Sequence, residues 1–174
     1  LWDALEQATG EPVRRIMDSW IFKAGMPVIE VDLVNDAGTL RLTQEPFRYL
    51  SAEDEGLDPD PDDDIQRWAV PVIFSQSHQG LVTFEKVLLD GGSADIAEFE
   101  TVDWLLGNTE GIGFYQCLHA PTITDSLVAH ADALSPIERY GLLDNLWATA
   151  LADRVAATAV VDHLEGFAGE RDLS

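Results

Sequence analysis

The chain has 174 residues, 46% of them hydrophobic, and sets 32 Asp plus Glu against 10 Lys plus Arg, a net charge of −22. That is enough apolar material for one core, or for a small domain with parts of its neighbours, and too much for a disordered chain. The acidic excess repels phosphates and anionic lipid, which argues against nucleic acid or a membrane as a partner, and no apolar run approaches the ~20 residues that span a bilayer.

Leu1 stands where a methionine would open a complete chain, and no basic-then-apolar leader follows. A segment of a longer protein is therefore expected. From Trp2 to about Trp20 the spacing is helical: Val13, Ile16, Met17 and Trp20 form one apolar stripe. Gly10 closes a first helix, Pro12 can open a second without losing a hydrogen bond, and Gly25 with Pro27 ends the helical zone.

From Pro27 to about Leu118 the period is two. Ile29, Val31 and Leu33 alternate with acids, Asn35-Asp36-Ala37-Gly38 supplies turn chemistry, and Leu40 and Leu42 resume the alternation, which predicts a hairpin. Trp68, Val70, Val72 and Phe74 predict a further strand, with Pro71 favouring an edge or a bulge. Leu81–Leu89, Ile96–Phe99, Trp104–Leu106 and Ile112–Leu118 complete the set. No crossover of helix length separates these strands, so an antiparallel β-sandwich is expected in a mainly β protein with helical flanks. After Ala120 the helical period returns. Ser135-Pro136-Ile137-Glu138 is a capping box, and Ile137, Tyr140, Leu143, Leu146 or Trp147, and Ala150 then line one face. Another helix is expected from near Asp153 to Glu165, closed by Gly166.

Candidate chemistry is sparse. The acidic stretch Ser51–Asp64 holds eight carboxylates, and Asp58, Asp60 and Asp62 have the spacing that opens an EF-hand. The pattern then fails, with Asp63 where glycine belongs and Ala69 where glutamate belongs, so a solvated loop is the reading favoured over a calcium site. His78, His119, His130 and His163 form no H-E-x-x-H pair. His119 reads as a strand-boundary residue and His163 as an exposed helix residue. Gly111-Ile112-Gly113 lacks the third glycine and the following helix of a dinucleotide fingerprint. Cys117, the only cysteine, reads as a buried core thiol. Of Trp68, Phe74, Phe84, Phe99 and Trp104, most fall on the apolar face of a strand and are assigned to the core rather than to a carbohydrate platform. The residues alone give no catalytic, cofactor-binding or metal site.

Three passages resemble the gluzincin zinc aminopeptidases of the aminopeptidase N and puromycin-sensitive types. Trp2-x-x-Leu5 through Ile16-Met17-Asp18-Ser19-Trp20 and Gly25-Met26-Pro27-Val28 is similar to the end of that family's catalytic domain. Gly107-Asn108-Thr109-Glu110-Gly111-Ile112-Gly113-Phe114-Tyr115 resembles its N-x-x-x-x-G-[FY]-Y-R-V strand, with Gln116-Cys117 in place of the usual pair. Leu134 to Asn145 resembles the L-S-x-x-[DE]-R-x-x-L-[LI]-D-D helix that opens its C-terminal helical domain.

The resemblance implies three parts: residues 1–25 as the last helices of the catalytic domain, 26–119 as the β-sandwich, and 120–174 as the start of the helical domain. It further implies a noncatalytic spacer in a parent that removes N-terminal amino acids from peptides. Zinc, the H-E-x-x-H ligands, the G-x-M-E-N motif and the catalytic tyrosine would all precede this segment. The expected partners are the other domains of the same chain, with peptide met only through the parent and self-association through exposed helical ends. The expected location is cytoplasmic. The alternative is a stand-alone sandwich that binds carbohydrate or protein.

Overall fold

The computed structural model describes residues 1–34, 38–49, 66–97, 99 and 102–171. The acidic stretch at 51–64 and the turn residues 35–37 lie outside them. Helices α1 (Trp2–Thr9) and α2 (Val13–Ile21) are joined by Gly10, whose left-handed φ of 73° lets its N–H return to the Glu6 carbonyl at 2.8 Å. The predicted stripe on α2 is partly buried, and its last member does the anchoring. The Trp20 indole donates to the Ala69 carbonyl at 3.1 Å, and Ser19 Oγ accepts from the Ala69 N–H at 2.9 Å. Trp20 also lies 6.0 Å from the Trp68 ring and 5.9 Å from that of Phe114.

Among the described residues seven strands follow: β1 (Pro27–Val34), β2 (Thr39–Pro46), β3 (Ala69–His78), β4 (Leu81–Asp90), β5 (Ser93–Ile96), β6 (Trp104–Gly107) and β7 (Gln116–His119). They form two sheets, one ordered β5-β2-β1-β7 and the other β4-β3-β6. The expected β1–β2 hairpin is present, with Val31 opposite Leu42. Every pairing is antiparallel except β1 with β7, where Val31 meets His119. Alternation directs Ile29, Val31, Leu40 and Leu42 from one sheet, and Val70, Val72, Phe74 and Leu89 from the other, into one core. The amide of Gln44, buried among them, spans the sheets. Its oxygen accepts from the Trp68 N–H at 2.9 Å, and its nitrogen donates to the carbonyls of Trp68 at 2.8 Å and Gly91 at 2.6 Å.

Some boundaries differ from expectation for local reasons. The strand expected at Ile96–Phe99 lies earlier, at Ser93–Ile96, where it pairs with β2. The strand expected from Ile112 begins only at Gln116. Asn108 and Glu110 adopt left-handed conformations with φ of 57°, a 3-10 turn covers Thr109–Gly111, and the Asn108 amide bonds both the N–H and the carbonyl of Gly113. Pro71 faces Leu88 of β4, and β6 pairs with β3 only from Phe74 to Ser77, so the proline sits where β3 has a single strand neighbour.

The helical layer comprises α3 (Pro121–Ala129), α4 (Pro136–Leu151) and α5 (Ala157–Leu164). The capping box forms as expected, the Glu138 carboxylate accepting from the Ser135 N–H at 2.9 Å and hydroxyl at 2.8 Å. Helix α5 starts later than near Asp153, because Asp153 is left-handed with φ of 56° and interrupts the helix. The expected face of α4 also splits. Leu142, Leu146 and Thr149 turn inward, while Ile137, Tyr140 and Trp147 remain exposed. Helix α4 is apolar on more than one side, so periodicity alone does not select the buried stripe.

Candidate functional site at the sandwich–helix junction

Strand β7 carries two reactive side-chain types into the interior. The Cys117 thiol is buried, and desolvation pushes it up to about 12, so it stays protonated and unreactive in the folded chain. His119 is 5% exposed, deeper than a boundary residue, and the Gly107 N–H donates to its Nε2 at 2.9 Å. That bond joins the edge strands of the two sheets and leaves the imidazole proton on Nδ1. Burial lowers this imidazole to about 4, so it is neutral at physiological pH. A side chain at Gly107 would put its Cβ 2.4 Å from Cys117 Sγ, which fixes glycine there. The Cys117 Sγ to His119 Nε2 distance is 3.6 Å, but a protonated thiol beside an occupied ring nitrogen is no nucleophile–base pair.

The remaining histidines stand apart from this pair. His130 Nδ1 contacts the Ser126 carbonyl at 2.8 Å on the exposed end of α3. His163 is half-buried rather than exposed, its Nε2 3.0 Å from Asp125 Oδ1 across α5 and α3, and its Nδ1 is buried without a hydrogen-bond partner. His78 closes β3 opposite Leu81. Among the described residues, no three His, Cys, Asp or Glu side chains gather where they could hold a metal ion. The donor set for a hydrolytic zinc is therefore not assembled by these residues. Of the five aromatics, most of them expected in the core, Trp68, Phe74, Phe99 and Trp104 are buried and Phe84 on β4 is 64% exposed.

The junction also encloses a half-open cleft of about 430 Å³ between β1, β7 and the helical layer. Arg154, in the turn after α4, closes one side of it. Its guanidinium bonds Glu30 of β1 at 2.8 Å and also Glu45 of β2, tying the α4–α5 connection to two strands. On α4, Asn145 Oδ1 accepts from the Cys117 N–H at 2.6 Å, so a helix side chain covers part of the open edge of β7.

No family model matches the chain. It is 27% identical to the Tricorn protease-interacting factor F2 of Thermoplasma volcanium over 99% of this chain and 19% of that protein. It is 31% identical to the probable aminopeptidase 1 of Saccharolobus solfataricus over 90% of this chain and 18% of that protein. Against aminopeptidase M1-A of Oryza sativa it is 27% identical over 100% of this chain and 19% of that protein. Its homologues are aminopeptidases of the M1 family. The chain spans about a fifth of the length of the curated relatives it matches.

The likeness to M1-family aminopeptidases agrees with the resemblance carried by the three motifs. Within those motifs the structure gives physical roles: Trp20 and Ser19 pin the helix pair to β3, Asn108 closes the loop before β7, and Asn145 holds the β7 edge. Sequence reasoning missed Arg154, Gln44 and the cleft. A buried glutamine at an inward position of the β2 alternation is a detectable signal for the second. For Arg154 the local sequence offers none, because its partners lie more than a hundred residues away.

Proposed function

We propose that this chain is a noncatalytic spacer within a longer zinc-dependent aminopeptidase, a hydrolase that removes N-terminal amino acids from peptides. The observation that carries the reading is the alignment over essentially the whole chain with about a fifth of each relative. The scattered histidines, and the lack of a metal-binding cluster among the described residues, support a segment whose chemistry lies elsewhere in the parent. In that reading zinc belongs to the parent's catalytic domain, polarising the scissile carbonyl and activating water there.

Residues 1–25 then act as the final helices of the catalytic domain, 26–119 as the sandwich that sets its spacing, and 120–174 as the first helices of the next domain. The partners are the adjoining domains of the same chain, met through exposed apolar residues such as Ile137, Tyr140, Trp147 and Leu151, which also favour self-association of the isolated segment. A cytoplasmic parent is in keeping with the single buried cysteine; among the described residues no helix is long and apolar enough to cross a membrane. Burial of Trp68, Phe74, Phe99 and Trp104 counts against an aromatic carbohydrate platform.

The test is hydrolysis of leucyl and alanyl fluorogenic amides by this chain, with metal analysis of the same sample. The expected result is neither turnover nor stoichiometric zinc. Turnover that tracks with bound zinc would overturn the spacer reading.

A further inference from the structure

Of the outer strands of the two sheets, three are short or covered. Strand β5 has four residues, β6 lies against α3, and Asn145 holds the edge of β7. The fourth, β4, has ten residues and no strand on its outer side among the described residues. Its second half is anchored, since Val87 and Leu89 pack on the core and the Lys86–Glu11 and Arg15–Asp90 pairs hold it to the N-terminal helix pair. Its first half is bare. Leu81 to Glu85 are all exposed, Leu81 at 69%. An apolar edge of this length without proline is a feature that sheet proteins ordinarily avoid, because its free N–H and C=O groups pair with another strand.

Beside this edge the two sheets part. Alternation from the buried Leu89 turns Leu81, Thr83 and Glu85 inward and Val82 and Phe84 outward. The inward set borders a half-open groove of about 520 Å³, whose far wall is Ile96, Phe99 and Val102. Gln76, opposite Thr83 on β3, faces the same groove. Its nitrogen donates to Glu85 at 3.2 Å, while its Oε1 is buried without a hydrogen-bond partner among the described residues. A buried acceptor left open is a place for a donor that arrives with a ligand.

We propose that the Leu81–Glu85 edge binds an extended, positively charged peptide as an added strand. Main-chain hydrogen bonds to β4 supply the attachment. Every second side chain enters the groove against Leu81 and Phe99, and those between lie on the outer face beside Val82 and Phe84. Charge selects the occupant. The chain carries −22, and at this strand Lys86 is held by Glu11 whereas Glu85 takes only a neutral amide among the described residues. A second copy of the chain brings the same acidic excess to the contact, so a basic peptide fits where a symmetric pair is repelled. The site stands whether or not the chain is a spacer.

The experiment is a ¹⁵N-resolved NMR titration of the 174-residue chain with the peptide acetyl-Lys-Val-Thr-Val-Lys-Val-amide. Two control peptides accompany it, one with glutamate for both lysines and one N-methylated at its four central residues. Saturable shifts with the first peptide are expected at the amides of Gln76 and of Leu81 to Glu85, with weaker binding of the acidic peptide and none of the methylated one. Replacing two exposed side chains together, Leu81→Ser with Phe84→Ser, is expected to weaken binding by about fivefold, the scale of one or two cross-strand pairs, with the thermal melt unchanged. Equal binding of either control peptide, unchanged affinity of the double variant, or no saturation at millimolar peptide would each overturn the proposal. So would shifts at Leu81 to Glu85 that grow with protein concentration in the absence of peptide, which would make a second copy the occupant.

Discussion

In the sandwich, Val28, Ile29, Leu40, Leu42 and Val72 have no exposed surface, whereas α1 and α2 bury no residue completely. The sheets are held by continuous apolar contact between two faces. Helices α1 and α2 are held by discrete ties, Trp20 and Ser19 to Ala69 and the Lys86–Glu11 and Arg15–Asp90 pairs, whereas α3 to α5 send Ile123, Leu127, Leu142, Leu146 and Val160 into the sandwich core and add the polar tie of Arg154 to two strands. The difference separates what makes this chain fold from what orients its N-terminal helices and the α4–α5 connection. An apolar core is cooperative, so damage to it is felt throughout, while a polar tie can break and leave the rest standing.

The largest expected effect comes from the core. Phe74→Ala removes a ring packed between the sheets, about 6.2 Å from that of Phe99, and should cost about 3–5 kcal/mol. Thermal melts followed by far-ultraviolet and tryptophan signals should then fall together, because the helices have no independent core to outlast the sandwich.

An intermediate effect should appear at the junction on acidification. The His119 imidazole is held at about 4 in the folded chain, against the ordinary 6.5 once unfolded, so the unfolded state binds more protons between those values. Stability contributed by this histidine is complete above about pH 6.5 and declines as pH falls towards 4, by up to about 3 kcal/mol. Denaturant titrations across that range should show the loss, and His119→Gln should flatten the slope. A slope unchanged by that substitution would move its origin to the carboxylates.

The smallest effect belongs to the tie. Arg154→Met removes the bridge to Glu30 and Glu45 while keeping the aliphatic stem, at a cost of about 1 kcal/mol for a partly exposed pair. Hydrogen exchange should quicken in α5 and at the start of β1, with β3 and β4 unchanged. Equal quickening in β3 would erase the distinction between core and ties.

Much of the architecture is legible in the sequence because it depends on neighbours a few residues apart. Alternation from Ile29 to Leu42 gives the first hairpin, and Ser135 with Glu138 gives the start of α4. The late start of β7 was not legible, because Asn108 and Glu110 in left-handed backbone stop an apolar run that otherwise reads as a strand. Nor was the buried stripe of α4, since Trp147 at 55% exposure and the buried Leu146 are adjacent large hydrophobic residues. The cleft was invisible for a different reason. It is bounded by groups from β1, β7 and the helical layer, and only the parallel return of β7 brings them together.

That parallel return has a kinetic consequence. Val31, near the beginning of the chain, meets its partner only at His119, and all the other strands are made in between. During synthesis the outer edge of β1 therefore waits, unpaired, until the second half of the chain emerges. Contacts of such long sequence separation slow folding, and an open strand edge invites mispairing while it waits. Closure of the sandwich is thus a late event, and α4, made after β7 and α3, then shields the last edge with Asn145.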